Sequence, residues 1–403
     1  MSVLTKQIED YLEKSSWIRE MFETGAKLKQ EYGEENVFDF SLGNPDLPPP
    51  WEVQQGLEKV AEKGDRAYAF GYMPNAGYPE LKSSLAKFLS EQQGVEVDSS
   101  DVMISCGAAG GLNSLFRAVL EPGDEVLSPA PYFVEYGFYT TNYGGIFSSV
   151  PSIPPQFELD LEAISKKINP QTRIVLINSP NNPTGYVYKK QELQKLVQII
   201  QEANKQREKP ILLVSDEPYR FLTYQGESVP SLLPLYKNSI VVSSFSKSHS
   251  LAGERVGYVL LNPALEDKDK LMQGLVFTNR ILGFVNAPAL MQRLIAGLQD
   301  ESVDIAAYEQ KRNQLYNNLS AMGFSMVKPE GGFYLFPKSP LEDDIEFVKI
   351  AQEEKILLVP GRGFGAPGYF RIAYCIDLDI IERSMPAWER LAHKTGVHKK
   401  GQA

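Results

Sequence analysis

Short apolar segments alternate with longer segments of helical periodicity through the middle of the chain. This alternation limits the fold most strongly, because it is typical of a mostly parallel sheet covered by helices. Between the first two predicted strands, for example, apolar residues recur at helical spacing over 112–120. We therefore expect an α/β fold with a large domain of this kind. The predicted strands cover 102–105, 125–127, 174–178, 211–215, 240–243 and 256–261.

The pattern changes beyond about residue 288, where strands and helices no longer alternate regularly. Here the sequence predicts a smaller α+β domain. We expect the large domain to span 50–287, which leaves 1–49 and 288–403 to the N-terminal segment and the small domain. The elements predicted in these parts are helices over 17–32, 303–322 and 345–354, strands over 333–336, 356–359 and 369–373, and a final helix.

The composition excludes several classes of protein. The 403-residue chain has a net charge of −10 and no long run of lysine or arginine, so neither a nucleic acid nor an anionic membrane is an expected partner. No apolar stretch approaches the length of a membrane span. Two cysteines and three histidines argue against a disulfide framework and against a histidine-rich metal site. We expect a cytoplasmic protein without a metal ion.

Polar or glycine-rich residues follow the carboxyl ends of four predicted strands. In an open parallel sheet, ligands bind at that edge. The segment 107–111 reads Gly-Ala-Ala-Gly-Gly, and such small residues let backbone N–H groups approach a phosphate at the start of a helix. The segment 179–185 reads Ser-Pro-Asn-Asn-Pro-Thr-Gly, a rigid loop that can position an amide side chain. Taken alone, each segment is also explained by ordinary turn chemistry.

Two ionisable side chains follow the next two strands. Asp216 ends an apolar strand, where a carboxylate needs a cation or a donor, although a helix N-cap would also explain it. Lys247 follows 243–246, Ser-Ser-Phe-Ser, and precedes Arg255 by eight residues. Burial near a positive charge would favour the neutral amine that forms imines. A surface lysine is the ordinary alternative.

Together these four segments supply the groups that bind pyridoxal 5′-phosphate. Such a site needs a lysine for an imine, an aspartate for the ring nitrogen, and an asparagine and a tyrosine for the phenolic oxygen. It also needs a glycine-rich turn and an arginine for the phosphate. Four weak signals at successive strand ends are not expected from packing alone. We therefore interpret Lys247 as the residue that binds this cofactor as an imine.

The sequence also resembles the fold-type I, class I/II aminotransferase family over 36–392. The most specific similarity is Ser-Phe-Ser-Lys at 244–247 followed by Arg-Val-Gly at 255–257. Asn-Pro-Thr-Gly at 182–185 and Asp-x-x-Tyr at 216–219 are further matches, and Gly-Ala-Ala at 107–109 is a looser one. The resemblance implies a large cofactor-binding domain, a smaller domain and transfer of an amino group.

The resemblance implies a role for individual residues around the cofactor. Lys247 would bind it covalently and move a proton between the substrate α-carbon and the cofactor. Asp216 would pair with the pyridinium nitrogen, and Tyr219 would hydrogen-bond the phenolic oxygen. Asn182 would contact the same oxygen and the substrate. The residues implied at the phosphate are Gly107, Ala108, Ala109, Ser244 and Arg255.

Further implied roles concern the ring, the substrate and a second subunit. Phe133 would stack on the cofactor ring, with Tyr132 as the alternative. Arg371 would bind the substrate α-carboxylate through its planar guanidinium, together with the backbone of Gly43. Tyr72 would reach the phosphate of the partner subunit, which implies a homodimer.

The side chain of the preferred substrate stays open. Members of the resembled family that prefer dicarboxylic substrates often carry a second arginine, supplied by the partner subunit. Arg280 lies near that region but is offset by about one residue, and a surface arginine is the simpler interpretation. Arg362, in a glycine-rich turn, is another candidate for the entrance of the site.

The expected function is transfer of an amino group between an L-amino acid and a 2-oxo acid by a ping-pong mechanism. We hypothesise that glutamate and 2-oxoglutarate form one of its pairs. A C–S β-lyase on the same fold is an alternative that these motifs do not separate. A non-catalytic ligand-sensing domain is disfavoured because only about 35 residues precede the resemblance. A Rossmann-type oxidoreductase is disfavoured because no G-x-G-x-x-G follows the first strand.

Overall fold

The computed structural model describes residues 3–14 and 16–397 of the chain. Its α-helices are α1 (Lys6–Lys14), α2 (Ser16–Tyr32), α3 (Trp51–Ala61), α4 (Pro79–Gln93), α5 (Gly107–Val119), α6 (Glu135–Thr141), α7 (Leu161–Lys167), α8 (Lys190–Asn204), α9 (Phe245–Ser248), α10 (Lys268–Ile281), α11 (Ala289–Ile295), α12 (Ile305–Met322), α13 (Asp344–Glu353) and α14 (Leu378–Lys394). Its strands are β1 (Phe38–Asp39), β2 (Val102–Ser105), β3 (Glu125–Ala130), β4 (Ile146–Pro151), β5 (Thr172–Asn178), β6 (Leu212–Asp216), β7 (Ser239–Ser244), β8 (Gly257–Leu261), β9 (Tyr334–Leu335), β10 (Ile356–Leu357), β11 (Val359–Pro360) and β12 (Phe370–Ala373).

Seven strands form one large sheet in the order β2-β8-β7-β6-β5-β3-β4. Neighbouring strands run parallel except at β8, which is antiparallel to both β2 and β7. The predicted α/β class, with a mostly parallel sheet, is therefore confirmed. Because the other six strands point the same way, the carboxyl ends of β2, β5, β6 and β7 lie at one edge of the sheet. The polar segments identified in the sequence follow at that edge.

All six strands predicted for this sheet are present, and their ends differ from the prediction by three residues at most. The seventh strand, β4, was not predicted. It lies at the edge of the sheet, where most of its residues are exposed or half-buried. Its sequence Ile-Phe-Ser-Ser-Val-Pro therefore lacks the continuous apolar run that marks a strand buried on both faces.

Helices cover both faces of the sheet, because the inner strands are apolar on both sides. On one face, Leu115 and Phe116 of α5 pack in a cluster with Val242 of β7. On the other face, Leu196 of α8 packs in a cluster with Leu213 of β6. The sheet is thereby fixed between two helical layers, and its strand ends form a rigid base for side chains.

A second apolar core lies beyond the sheet and combines α12, α13 and α14 with the small sheet β11-β12-β9. Trp388 and Phe347 are among its fully buried side chains. The N-terminal segment joins this part of the chain, because Phe38 of β1 pairs in parallel with Ile356 of β10. Tyr219, which follows β6, also packs into this core. The division of the chain at residues 50 and 287 stays a prediction.

The remaining elements agree with the sequence in most places. The helices predicted over 303–322 and 345–354 are α12 and α13, whereas the run 356–359 divides into β10 and β11, which belong to different sheets. None of the helices described for this chain combines the length and the apolar character needed to traverse a lipid bilayer.

Candidate active site

A cavity of about 310 Å³ opens where β5, β6 and β7 end. A groove of about 560 Å³ between α3 and α11 is larger, but no predicted site residue lines it. The smaller cavity brings together most of the residues that the sequence indicates for a cofactor and a substrate. These are Gly43, Ala108, Ala109, Phe133, Asn182, Asp216, Tyr219, Ser244, Lys247, Arg255 and Arg371.

Lys247 lies in the short helix α9, directly after β7, and its side chain contributes to the cavity wall. Its Nζ donates a 2.5 Å hydrogen bond to the backbone oxygen of Gly43. Burial lowers the pKa of Lys247 to about 8, and the positive charges of Arg371 and Arg255 act in the same direction. Near neutral pH, Lys247 therefore has far more of the neutral, nucleophilic amine than an exposed lysine has.

Asp216 is the last residue of β6 and is buried. The hydroxyl of Tyr136, on α6, donates a 2.5 Å hydrogen bond to its Oδ2. Its Oδ1 is buried and has no hydrogen-bond partner among the described residues. Burial raises the pKa of Asp216 to about 7, and the hydrogen bond from Tyr136 opposes this effect. The carboxylate thus keeps one oxygen for a cationic N–H group in the cavity.

Two asparagines connect the end of β5 with that of β6. Asn178 is paired with Asp216 in the register of the two strands, and its Nδ2 donates a 2.8 Å hydrogen bond to the backbone oxygen of Asp216. Its Oδ1 accepts a 2.6 Å hydrogen bond from the backbone N–H of Asn182. The loop after β5 is therefore fixed against β6, with the side chain of Asn182 at the cavity.

The cavity is closed on one side by two tyrosines. The hydroxyl of Tyr219, which follows β6, lies 3.0 Å from the hydroxyl of Tyr334 on β9. Burial raises the pKa of Tyr219 well above its ordinary value, so the residue keeps its proton and can donate a hydrogen bond. The pair also joins the large sheet to the small one.

The start of α5 forms the end of the cavity that is suited to an anion. Gly107 has a φ of +68°, and a Cβ at this position would lie 2.5 Å from Nη2 of Arg255. Ala108 and Ala109, in the first turn, line the cavity beside this guanidinium. The N–H groups of a first helical turn have no partner within their helix, and the helix dipole adds partial positive charge there. Ser244, at the end of β7, supplies a hydroxyl.

Arg371 lies on β12 and is buried. Its Nη1 donates a 3.1 Å hydrogen bond to Oδ1 of Asn182, and its Nη2 donates a 2.7 Å hydrogen bond to the backbone oxygen of Ser41. The guanidinium also lies 4.4 Å from the ring centre of Tyr334 and 4.8 Å from that of Phe364. Its Nε is buried and has no hydrogen-bond partner within the described part of the chain. A fixed guanidinium with an unused donor can bind a carboxylate.

A glycine is required at position 43 because the side chain of Tyr334 lies close to its backbone. A Cβ at this position would lie 1.9 Å from the hydroxyl oxygen of Tyr334, so any side chain would displace that tyrosine. Since the backbone oxygen of Gly43 also accepts the hydrogen bond from Lys247, the N-terminal segment passes directly over the cavity.

Tyr132 and Phe133, the two aromatic candidates before α6, have different surroundings. Phe133 lines the cavity and packs edge-to-face against Tyr136, with ring centres 5.6 Å apart. Tyr132 packs instead against Phe147 of β4, with ring centres 4.8 Å apart, and does not line the cavity. The geometry favours Phe133 as the aromatic residue at a bound ring.

Three further candidates lie outside the cavity. Tyr72 is 95% exposed, and Arg280, on α10, is also exposed. Arg362 forms ion pairs with Asp343 and Asp344 at the start of α13, and its Nε lies 2.8 Å from Oδ1 of Asp344. These carboxylates, rather than the entrance of the cavity, account for the position of Arg362.

Several residues at the site were not predicted. Asn178 could have been found from the sequence, because it is polar and ends an apolar strand, as Asp216 does. Tyr136 and Tyr334 carried none, because nothing distinguishes them in the sequence from the other tyrosines of a chain that contains 20. Their contacts with Asp216 and Tyr219 arise only when distant segments meet.

Comparison with known proteins identifies close similarity along nearly the whole chain. A family model described as aminotransferase class I and II matches residues 35–384. A probable aspartate/prephenate aminotransferase of Aquifex aeolicus is 34% identical over 359 residues, which cover 85% of this chain and 87% of that protein. An aspartate aminotransferase of Bacillus subtilis is 32% identical over 379 residues, covering 89% and 92%.

Solved structures of aminotransferases have the same fold as this chain. The crystal structure of an amino transferase from Eubacterium rectale has a TM-score of 0.93 and 38% sequence identity, covering 98% of this chain and 100% of that one. An aspartate aminotransferase of Thermotoga maritima has a TM-score of 0.86 at 28% identity, covering 97% and 100%. The chain therefore belongs to the aminotransferase class I and II family.

Proposed function

We propose that this aminotransferase uses pyridoxal 5′-phosphate, bound at Lys247, to move an amino group from an L-amino acid to a 2-oxo acid by a ping-pong mechanism. The family is pyridoxal phosphate-dependent. The assignment of the site is carried by Oδ1 of Asp216, which is buried and has no partner among the described residues. A buried carboxylate oxygen without a partner is costly unless a ligand supplies one.

The residues around the cavity fit this cofactor at both of its ends. Asp216 would pair with the protonated ring nitrogen, and Phe133 would pack on the ring. Asn182 and Tyr219 would hydrogen-bond the phenolic oxygen. The glycine at 107 leaves room for the guanidinium of Arg255 beside the first turn of α5, which supports a phosphate site there. Gly107, Ala108, Ala109 and Ser244 would complete that site.

When bound, this cofactor supplies an electron-withdrawing ring that accepts the electron pair left on the substrate α-carbon. The chain supplies the proton transfer and the orientation. Nζ of Lys247 would take the proton from the α-carbon, a role that its lowered pKa supports. Arg371, together with Asn182 and Gly43, would fix the substrate α-carboxylate, which holds the α-carbon near Lys247.

We also infer a homodimer in which Tyr72 contributes to the site of the partner subunit. Its 95% exposure supports this inference, as does that of nearby Tyr68, which is 88% exposed. The division into a large domain at 50–287 and a smaller part from 1–49 and 288–403 is proposed on the basis of the two separate apolar cores. Two unpaired cysteines support a reducing, cytoplasmic location.

The absorption spectrum of the purified protein, recorded with single amino acids and without an acceptor, tests the proposal. We expect a visible band that is bleached by one or more amino acids and restored by a 2-oxo acid. The glutamate/2-oxoglutarate pair stays a prediction that this experiment also tests.

Two outcomes would contradict the proposed function. A visible band that persists while pyruvate and ammonia accumulate from cystathionine would indicate a lyase instead. The lack of any band with added cofactor would remove Lys247 from its proposed role. The Lys87→Ala variant, altered at an exposed lysine of α4, is the control for nonspecific imine formation at surface amines.

A further inference from the structure

Tyr334, on β9, is a residue of the cavity wall to which the proposed mechanism gives no role. Its hydroxyl oxygen lies 3.0 Å from that of Tyr219, and both side chains are buried. The two rings pack edge-to-face, with their centres 5.9 Å apart. Because both tyrosines line the cavity, this hydrogen bond lies at the wall of the site and not in the core behind it.

The position of the Tyr334 hydroxyl is fixed by its neighbours. Tyr334 is paired with Ala373 in the register of β9 and β12, and the guanidinium of Arg371 lies 4.4 Å from the centre of its ring. A Cβ at Gly43 would lie 1.9 Å from the hydroxyl oxygen, so that oxygen lies against the backbone of residue 43. The backbone oxygen of the same glycine accepts the hydrogen bond from Lys247.

The direction of the hydrogen bond between the two tyrosines depends on what else Tyr219 binds. A tyrosine hydroxyl has one proton to donate, and its oxygen can also accept a hydrogen bond. If Tyr219 donates its proton to the phenolic oxygen of the cofactor, it has none left for Tyr334. The hydrogen bond between the two hydroxyls is then donated by Tyr334 and accepted by Tyr219.

We propose that Tyr334 is a positioning residue, which donates a hydrogen bond to the oxygen of Tyr219 and thereby strengthens the bond from Tyr219 to the phenolic oxygen of the cofactor. This inference rests on the proposed function, because it requires pyridoxal 5′-phosphate at Lys247. Hydrogen bonds in a chain polarise one another. Burial raises the pKa of Tyr334, and the positive charge of Arg371 opposes this rise, which favours Tyr334 as a donor.

The consequence concerns the imine that Lys247 forms with the cofactor. Negative charge on the phenolic oxygen stabilises a protonated imine nitrogen beside it, and a donor to that oxygen reduces the stabilisation. A stronger hydrogen bond from Tyr219 therefore lowers the pKa of the imine. Tyr334, acting through Tyr219, helps to set the pH at which the imine loses its proton.

A pH titration of the visible band tests the inference without turnover, because the absorption changes when the imine nitrogen loses its proton. The wild type, Tyr334→Phe, Tyr219→Phe and the double variant are each loaded with pyridoxal 5′-phosphate. We expect Tyr334→Phe to raise the imine pKa by about half a pH unit, and Tyr219→Phe to raise it further. Once Tyr219 has been replaced, removal of the Tyr334 hydroxyl should have little additional effect.

Tyr374→Phe is the matched control. The hydroxyl of Tyr374 lies 3.2 Å from that of Tyr224 in the same apolar core, and Tyr374 does not line the cavity. This variant therefore also removes one buried hydroxyl from a pair of tyrosines, and its imine pKa should equal that of the wild type. Phenylalanine at position 334 keeps a ring for Arg371 to pack against, so Tyr334→Phe removes the hydroxyl alone. Melting curves check that both variants are folded.

Either of two results would overturn the role of Tyr334. One is an imine pKa in Tyr334→Phe that equals that of the wild type. The other is a rise of the same size whether or not Tyr219 has been replaced, because Tyr334 would then not act through Tyr219.

The same titration distinguishes failure of this inference from failure of the proposed function. A wild-type protein that forms no band with added pyridoxal 5′-phosphate would contradict both. A wild-type band that titrates, without a shift in Tyr334→Phe, would contradict the role of Tyr334 alone. The expected shift, in a protein whose band no amino acid bleaches, would support that role while contradicting the proposed transamination.

Discussion

Tyr136 binds one oxygen of the Asp216 carboxylate, and the other oxygen has no partner among the residues that the structure describes. The hydroxyl donates to Oδ2 over 2.5 Å, while Oδ1 is buried beside the cavity. Burial raises the pKa of Asp216 to about 7, and this hydrogen bond opposes the rise. Tyr136 therefore helps to keep Asp216 charged at neutral pH, which is what a protonated ring nitrogen requires.

Removal of that hydroxyl should weaken cofactor binding. In Tyr136→Phe, Asp216 loses its donor, its pKa rises further, and less of the carboxylate is charged at pH 7. We expect the dissociation constant of pyridoxal 5′-phosphate to increase about tenfold, corresponding to roughly 1–2 kcal/mol. Fluorescence titration of the apoprotein measures it. Tyr143→Phe, which removes a 3.1 Å contact with Asn113, is the control, and equal affinities of both variants would contradict the role of Tyr136.

Replacement of Asp216 should stabilise the apoprotein while impairing function. The pKa of Asp216 is raised from 3.8 to about 7, so between these values the folded state binds more protons than the unfolded chain. The free energy of unfolding consequently falls as the pH rises through this window. At pH 8 we expect Asp216→Asn to have a free energy of unfolding roughly 2–4 kcal/mol above that of the wild type and a higher melting temperature. The difference should be smaller at pH 5.

A second buried aspartate provides the contrast for this experiment. Asp101 forms a 2.6 Å ion pair with Lys268, so Asp101→Asn should destabilise the protein at pH 8. The explanation for Asp216 would be wrong if its replacement lowered the melting temperature at pH 8, or if the gain were the same at both pH values.

Lys247→Ala should fold and lose turnover. The side chain makes one hydrogen bond, to Gly43, and lies near two positive charges, so its loss should cost little stability. Turnover should fall by roughly 10²–10⁴-fold or more, because the proton-transferring amine is removed. Steady-state assays and melting curves measure the two effects, with Lys87→Ala as the control. Near-normal turnover of Lys247→Ala would exclude the residue from the mechanism.

Arg371→Lys should mainly weaken substrate binding. Lysine cannot reproduce the planar contacts with Tyr334 and Phe364, and it offers a single charged group in place of a fork. We expect KM for the amino acid to rise roughly 10–100-fold with a smaller change in kcat. Arg362→Lys is the matched control, since that guanidinium is bound by Asp344 away from the cavity. An unchanged KM in Arg371→Lys would assign the carboxylate to another residue.

The sequence predicted those parts of the fold and the site that depend on local pattern. Apolar runs identified the inner strands, and the polar residues that end them identified Asp216 and Lys247. The edge strand β4 was missed because its outer residues contact solvent and need no apolar pattern. The position of the boundary between domains cannot be read in this way, because Tyr219 belongs to the apolar core outside the large sheet although it follows β6 directly.

Contacts between distant segments could not be predicted. Tyr334 approaches Gly43 and Tyr219, yet these three residues are separated by more than a hundred positions along the chain. The motifs therefore indicate the reaction, whereas the side chains that tune it depend on the folded arrangement.

Arg371 joins three parts of the chain, because it extends from β12 to Ser41 in the N-terminal segment and to Asn182 after β5. Mutational change at this position would disturb the architecture as well as recognition of the α-carboxylate. Natural variation in substrate preference should consequently accumulate at other positions of the cavity wall that do not join separate parts of the chain. Evolution of a new substrate preference would then change those positions, while Arg371 and the groups that it binds stay the same.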